Sequence, residues 1–105
     1  MQARKITILV VDDDPIVLQT EVTALGELGY DVIPCDSAAE ALELIAGKFA
    51  IDLLLTDLVM MPGDISGSIL AKRARRLRPK LKIIFTSGQW PIRWRTTGLQ
   101  GRFRF

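Results

Sequence analysis

The sequence predicts an α/β fold, a doubly wound parallel sheet with helices on both faces, and three observations carry that prediction. Apolar runs of strand length alternate with helix-patterned segments along the chain, the order that a parallel sheet with crossover helices requires. Ile6–Val11 is an aliphatic run broken by a single Thr, as a strand covered on both faces must be. Acidic residues stand directly after the first and third runs, at Asp12–Asp14 and at Asp57. Doubly wound sheets gather their ligands at the carboxyl ends of the strands.

Each element has its own signal. Ile6–Val11 is the first strand. Asp14-Pro15 reads as an N-cap followed by Pro at the first helical position. Leu18, Val22, Leu25 and Leu28 then recur at helical spacing, and Gly29 stands where a left-handed cap would end the helix. Tyr30–Pro34 is a short second strand. Ser37-Ala38-Ala39-Glu40 is a capping box, with Ala38, Ala41, Leu42 and Ile45 on one face and Gly47 as the stop. Ile51–Thr56 is the third strand, and Leu58–Asp64 is a loop turning at Pro62-Gly63. Ser66 caps a third helix that runs to Leu77 with Leu70, Ala74 and Leu77 inward, and Pro79 prevents its continuation. Lys82–Thr86 is the fourth strand, leading into Ser87-Gly88. Beyond Gln89 no helical stripe remains, although Leu99, Gly101, Phe103 and Phe105 alternate with other residues as a marginal fifth strand would.

Length and composition narrow the class. At 105 residues the chain is one domain with little apolar area to spare, and 49% apolar with 25% charged residues fits a globular protein, not a disordered one. The single Cys35 cannot form an internal disulfide, and no apolar run is long enough to span a membrane. A cytoplasmic protein is expected. All 12 acids lie between Asp12 and Asp64, whereas residues 65–105 hold 11 of the 14 cations and no acid. That asymmetry suits either a polyanion partner or a tail not shaped together with the rest. The cations Lys72, Arg73, Arg75, Arg76 and Arg78 read most simply as the wet face of the third helix, so nucleic acid is disfavoured as a partner.

The acidic residues carry the chemistry. With the first and third strands adjacent, Asp12, Asp13, Asp14 and Asp57 converge on one crevice. Crowded carboxylates repel, and a hard divalent cation removes that cost. Mg²⁺ needs only one or two carboxylates plus waters and a phosphate oxygen. Ser87, ending the fourth strand, brings a hydroxyl to the same place. The set therefore offers metal ligands, a carboxylate nucleophile and a hydroxyl for phosphate oxygens. A hydrolase is disfavoured, because the chain has no His and no second carboxylate placed to activate water beside Asp57.

Three segments, Ile8-Leu9-Val10-Val11-Asp12-Asp13-Asp14-Pro15, Thr56-Asp57-Leu58-Val59-Met60 and Ile83-Ile84-Phe85-Thr86-Ser87-Gly88, resemble the receiver domain of bacterial two-component response regulators in order and spacing. The resemblance covers about residues 5–89. It implies a flavodoxin-like fold with strand order 2-1-3-4. It also implies a phosphoacceptor, not an enzyme, in which Asp57 takes a phosphoryl group from the phosphohistidine of a histidine kinase or phosphotransfer protein. Asp12 and Asp13 match the pair that holds Mg²⁺ with Asp57, Val59 matches the residue lending a backbone carbonyl, and Ser87 matches the switching hydroxyl.

Two departures follow from the same comparison. Met61 intervenes before Pro62, so the loop after the acceptor is one residue longer. The family's lysine at the end of the fifth strand has no counterpart, since no Lys follows Lys82, and a guanidinium from Arg102 or Arg104 is not equivalent to an ammonium. Residues 1–89 are thus expected to form the receiver and residues 90–105 an atypical C-terminal segment, shortened or altered, with no fifth helix. A phosphorylation-independent binding module is the first rival reading, and a basic nucleic-acid-binding protein the second. Loss of the fifth helix would leave the third and fourth strands without a lid. Self-association through residues 83–105 is therefore expected, with Trp90, Trp94, Phe103 and Phe105 as anchors.

Overall fold

The computed structural model describes residues 5–57, 65–86 and, for the backbone, 94–96. Its order is β1 (Thr7–Val11), α1 (Pro15–Glu27), β2 (Asp31–Cys35), α2 (Ala38–Ala46), β3 (Leu53–Asp57), α3 (Gly67–Leu77), β4 (Lys82–Thr86) and β5 (Trp94–Thr96). The sheet runs β2-β1-β3-β4-β5, with the first four strands parallel. The doubly wound α/β order expected for those four strands is the one observed.

Side chains alternate across a strand, and that alternation builds two cores. Ile8, Val10, Leu53, Leu55 and Ile84 share one face with Leu25 of α1. Leu9, Val11, Leu54, Ile83 and Phe85 share the other with Ala41 and Ile45 of α2 and Leu70 and Ala74 of α3. Each fully buried Leu or Ile contributes about 1.5–3 kcal/mol. Pro34, in register with Val10, is tolerated because β2 is an edge strand and the missing N–H leaves no ladder bond unmade.

The caps form as the residue types require. Asp14 accepts from the Ile16 and Val17 amides, Ser37 from Glu40 and Ser66 from Ile69. Gly29, at φ 95°, closes α1. The Tyr30 amide donates to the Leu25 carbonyl and the Gly29 amide to Gly26, the paired bonds of a Schellman motif.

Several expectations are corrected. Leu28 and Leu77 are half exposed rather than inward, because each stands at the end of its helix, where the chain turns toward the next strand. A short strand is described at Trp94–Thr96, antiparallel to β4; the alternation of Leu99, Gly101, Phe103 and Phe105 lies outside the described residues. Only residues 87–93 separate the two strands, too few for the crossover of a dozen or more residues that a parallel return needs. The grounds for self-association also change: β4 is paired on both sides, and Leu53, Leu55 and Ile84 are fully buried. The side chains expected as anchors, Trp90, Trp94, Phe103 and Phe105, lie outside the described residues. Among the described residues no helix is long and apolar enough to cross a membrane.

Arg78 ties two helices together. Its Nε donates to the Ile45 carbonyl at 2.8 Å and its Nη2 to the Gly47 carbonyl at 3.1 Å, supplying a cation and two donors to the open C-terminal end of α2. Arg78→Ala should therefore cost about 1–2 kcal/mol. Arg78→Lys should recover only part of that, since an ammonium lacks the fork. A urea midpoint that falls with an unchanged slope is the expected readout, and an unshifted midpoint would contradict it.

Candidate functional site

The alternation that builds the cores also aims the site. Ile8 and Val10 face α1, so the next residue of that series, Asp12, continues on the same face just past β1. Leu53 and Leu55 lead in the same way to Asp57 at the end of β3, and Ile84 leads to Thr86 at the end of β4. Asp57 and Thr86 are register partners. Three adjacent strands therefore end in polar side chains on one side of the sheet.

Asp12, Asp13 and Asp57 each offer a carboxylate oxygen, and these oxygens lie within 4.8 Å of one another. Asp12 is buried, Asp13 and Asp57 half-buried. The Asp12 amide donates to the Cys35 carbonyl at 3.1 Å, which fixes the turn out of β1. Asp12 Oδ1 accepts from the Asp14 amide at 2.9 Å, and Asp14 in turn caps α1. Thr86 Oγ1 is buried without a hydrogen-bond partner, a hydroxyl left uncommitted in register with Asp57. An all-carboxylate set at this spacing fits a hard, oxygen-seeking dication such as Mg²⁺.

The family profile described as response regulator receiver domain matches residues 8–101. The chain belongs to that family. Among curated relatives, the receiver is 40% identical over 81 residues to the response regulator receiver protein CpdR of Brucella abortus, covering 77% of this chain and 65% of CpdR. It is 35% identical over 85 residues to the sensor kinase CckA of the same organism, covering 78% of this chain and 9% of CckA. The match thus spans about two thirds of one relative and a small part of the other. Among solved structures, a response regulator receiver protein from Sinorhizobium medicae aligns with a TM-score of 0.72 at 30% identity, over 78% of this chain and 65% of that one. The receiver domain of the hybrid histidine kinase CckA aligns with a TM-score of 0.68 at 34% identity, over 75% and 72%.

The receiver brings together Asp12, Asp13 and Asp57 of the residues singled out in its sequence. Asp14 serves as the helix cap. Val59 and Ser87 lie outside the described residues. Two groups that sequence reading passed over belong to the site's surroundings. Thr86 was hidden behind its hydroxyl neighbour Ser87. Glu21 is 3% exposed on α1, three residues after Leu18 and four before Leu25, so its place on the inward stripe was legible from helical spacing.

Burial pushes the Asp12 carboxyl up, the Asp14 amide opposes that, and the charges of Asp57 and Asp13 add to the rise. Burial likewise pushes Glu21 up to about 8, with the Asp12 charge and a hydrogen bond to Asp12 adding to it. Cys35, raised to about 12 by burial and then by Glu40 and Asp36, stays a thiol at neutral pH and offers no nucleophile.

Glu21 sets a pH dependence. Its folded pKa lies above its ordinary 4.5, so the folded receiver holds a proton that the unfolded chain releases. The associated stability is fully present below about pH 4.5, declines as pH rises, and is gone above about pH 8. With divalent ions chelated, the melting temperature should fall across that window, and Glu21→Gln should lose most of the slope. A wild-type melting temperature that stays level or rises there would contradict the assignment.

Proposed function

We propose that the chain receives a phosphoryl group on Asp57 from the phosphohistidine of a histidine kinase or phosphotransfer protein. The observation that carries this reading is the meeting of Asp12, Asp13 and Asp57 at adjoining strand ends in a chain of the receiver family. A carboxylate oxygen of Asp57 attacks phosphorus in line, the P–N bond to the donor imidazole breaks, and the imidazole keeps the bonding pair. An acyl phosphate on Asp57 results. Asp12, Asp13, Asp57 and the Val59 backbone carbonyl would hold Mg²⁺, which when bound neutralises charge on the phosphoryl oxygens. Ser87 contributes its hydroxyl to a phosphoryl oxygen, and Thr86 stands ready with a second. Residues 1–89 act as the receiver proper, with residues 90–105 as its atypical end.

Charge balance tempers the chemistry. Phosphorylation adds a charge of about −1.5 to −2 at neutral pH to a pocket that already holds three carboxylates. Residues 83–105 carry Arg but no Lys, and a guanidinium is not equivalent to the ammonium that the resemblance implies beside the phosphoryl group. The same observation favours a second reading, a receiver that works by contact alone without accepting phosphate.

Two measurements test this function. Calorimetric titration should show Mg²⁺ binding in the wild type and none in Asp13→Ala; equal affinity in both would mean that the ion sites are misassigned. A small acyl-phosphate donor should label Asp57 slowly and below stoichiometry, only with Mg²⁺, and not in Asp57→Asn. No label at saturating donor would favour the contact-only reading. Rapid and complete labelling would show that the charge balance of the pocket is not limiting.

A further inference from the structure

Two neighbouring helices carry opposite charge. Lys72, Arg73 and Arg76 are exposed along α3, which holds no acid. Glu40 and Glu43 are exposed along α2, which holds no cation. Among the described residues none of these five has an ion-pair partner. Ala41 and Ile45 of α2 share one core with Leu70 and Ala74 of α3, so the bare cations and the bare carboxylates stand side by side on one surface.

The two helices are also in step. Both run back across the sheet between parallel strands, so they point the same way. Arg78 bonds the Ile45 and Gly47 carbonyls, which brings their C-terminal ends level. Within one turn of that joint stand Glu43 and Arg76, and within two turns Glu40, Lys72 and Arg73. Opposite charges thus lie at matching heights. Between them runs a groove of about 530 Å³ with Leu42, Ala46 and Leu77 as its apolar lining.

A surface with an acidic half, a basic half and an apolar seam is complementary to itself. A two-fold axis along the seam, parallel to the helices, keeps heights and exchanges halves, so α2 of one copy covers α3 of the other. A membrane, a nucleic acid or an acidic helix would instead meet Glu40 and Glu43 beside the cations it sought. The net charge of only +2 lets two copies approach.

We propose that this face is a homodimer interface: α2 and α3 of two copies pair across a two-fold axis, Glu43 against Arg76 and Glu40 against Lys72 and Arg73, with Leu42, Ala46 and Leu77 covered at the seam. It is a different surface from the C-terminal segment expected from sequence to self-associate. Helices of about 15 Å cover roughly 500 Å² per copy, at the low end for a specific contact. The dimer is therefore weak and transient, and it loosens with salt, which screens exposed pairs.

Sedimentation equilibrium of the full chain tests it, with circular dichroism to check the fold of each variant. Wild type should show a monomer–dimer equilibrium near roughly 100 μM in low salt. Glu40→Lys/Glu43→Lys and Arg73→Glu/Arg76→Glu should each weaken it about tenfold by setting like charges together. An equimolar mixture of those two chains should associate within about threefold of wild type, because the exchanged charges again face their opposites. Glu27→Lys/Asp31→Lys, the same change in net charge placed on α1 and β2, should leave the dimer unchanged. Should Arg73→Glu/Arg76→Glu fail to fold, Arg73→Gln/Arg76→Gln should still weaken association about threefold. A wild type that stays monomeric at about 500 μM, or a mixture no tighter than its components, would overturn the proposal. So would a monomer that, through Arg73 and Arg76, binds polyglutamate, phosphatidylglycerol vesicles or duplex DNA instead.

Discussion

Three carboxylates whose oxygens lie within 4.8 Å of one another push each other apart, and the fold is what keeps them together. Asp12 and Asp57 hang from strands that pair directly, with Val11 opposite Thr56 in the register. Neither strand can yield without breaking a ladder buried on both sides. The turn that follows β1 is pinned twice, by the Asp12 amide on the Cys35 carbonyl and by Asp14 capping α1. The repulsion is thus borne by backbone hydrogen bonds and close-packed aliphatic side chains, the stiffest material a protein has.

The two ends of the sheet are built to different standards. At the amino end, Asp52 accepts the Thr7 amide at 2.8 Å and its own amide donates to the Thr7 carbonyl at 2.9 Å. The Arg78 guanidinium fills the open end of α2 nearby. At the carboxyl end stand the clustered acids and the two orphaned oxygens of Glu21 and Thr86. Among the described residues, the buried side-chain oxygens without a partner stand at the end where chemistry is proposed, the division seen when stability and function compete for the same residues.

Most of this architecture was legible in the sequence for reasons that can be named. Ile8–Val11 of β1 is uninterrupted aliphatic because both of its faces are covered, and Asp14, Ser37 and Ser66 cap because short polar side chains before helical stripes do little else. Asp12, Asp13 and Asp57 were legible as strand-end acids once strand adjacency was assumed. What stayed hidden depended on tertiary context. Leu28 and Leu77 fit the helical period but sit at helix ends. Trp94–Thr96 carries no period of its own and is a strand only through pairing with β4. Glu21 was counted as one more acid, although its position between Leu18 and Leu25 demanded an inward side chain.

Because the site is aimed by alternation, it depends on parity. Counting by twos from Val10 reaches Asp12, from Leu55 reaches Asp57 and from Ile84 reaches Thr86. A single-residue insertion or deletion within β1, β3 or β4 would send that strand's terminal polar group to the opposite side of the sheet. The aliphatic strands would still find apolar neighbours on either side, since both faces are covered. Such a lineage could keep its core and lose its acids in one step. Length changes in this fold are therefore far better tolerated in the connections than in the strands, and the number of residues per strand is itself an inherited part of the chemistry.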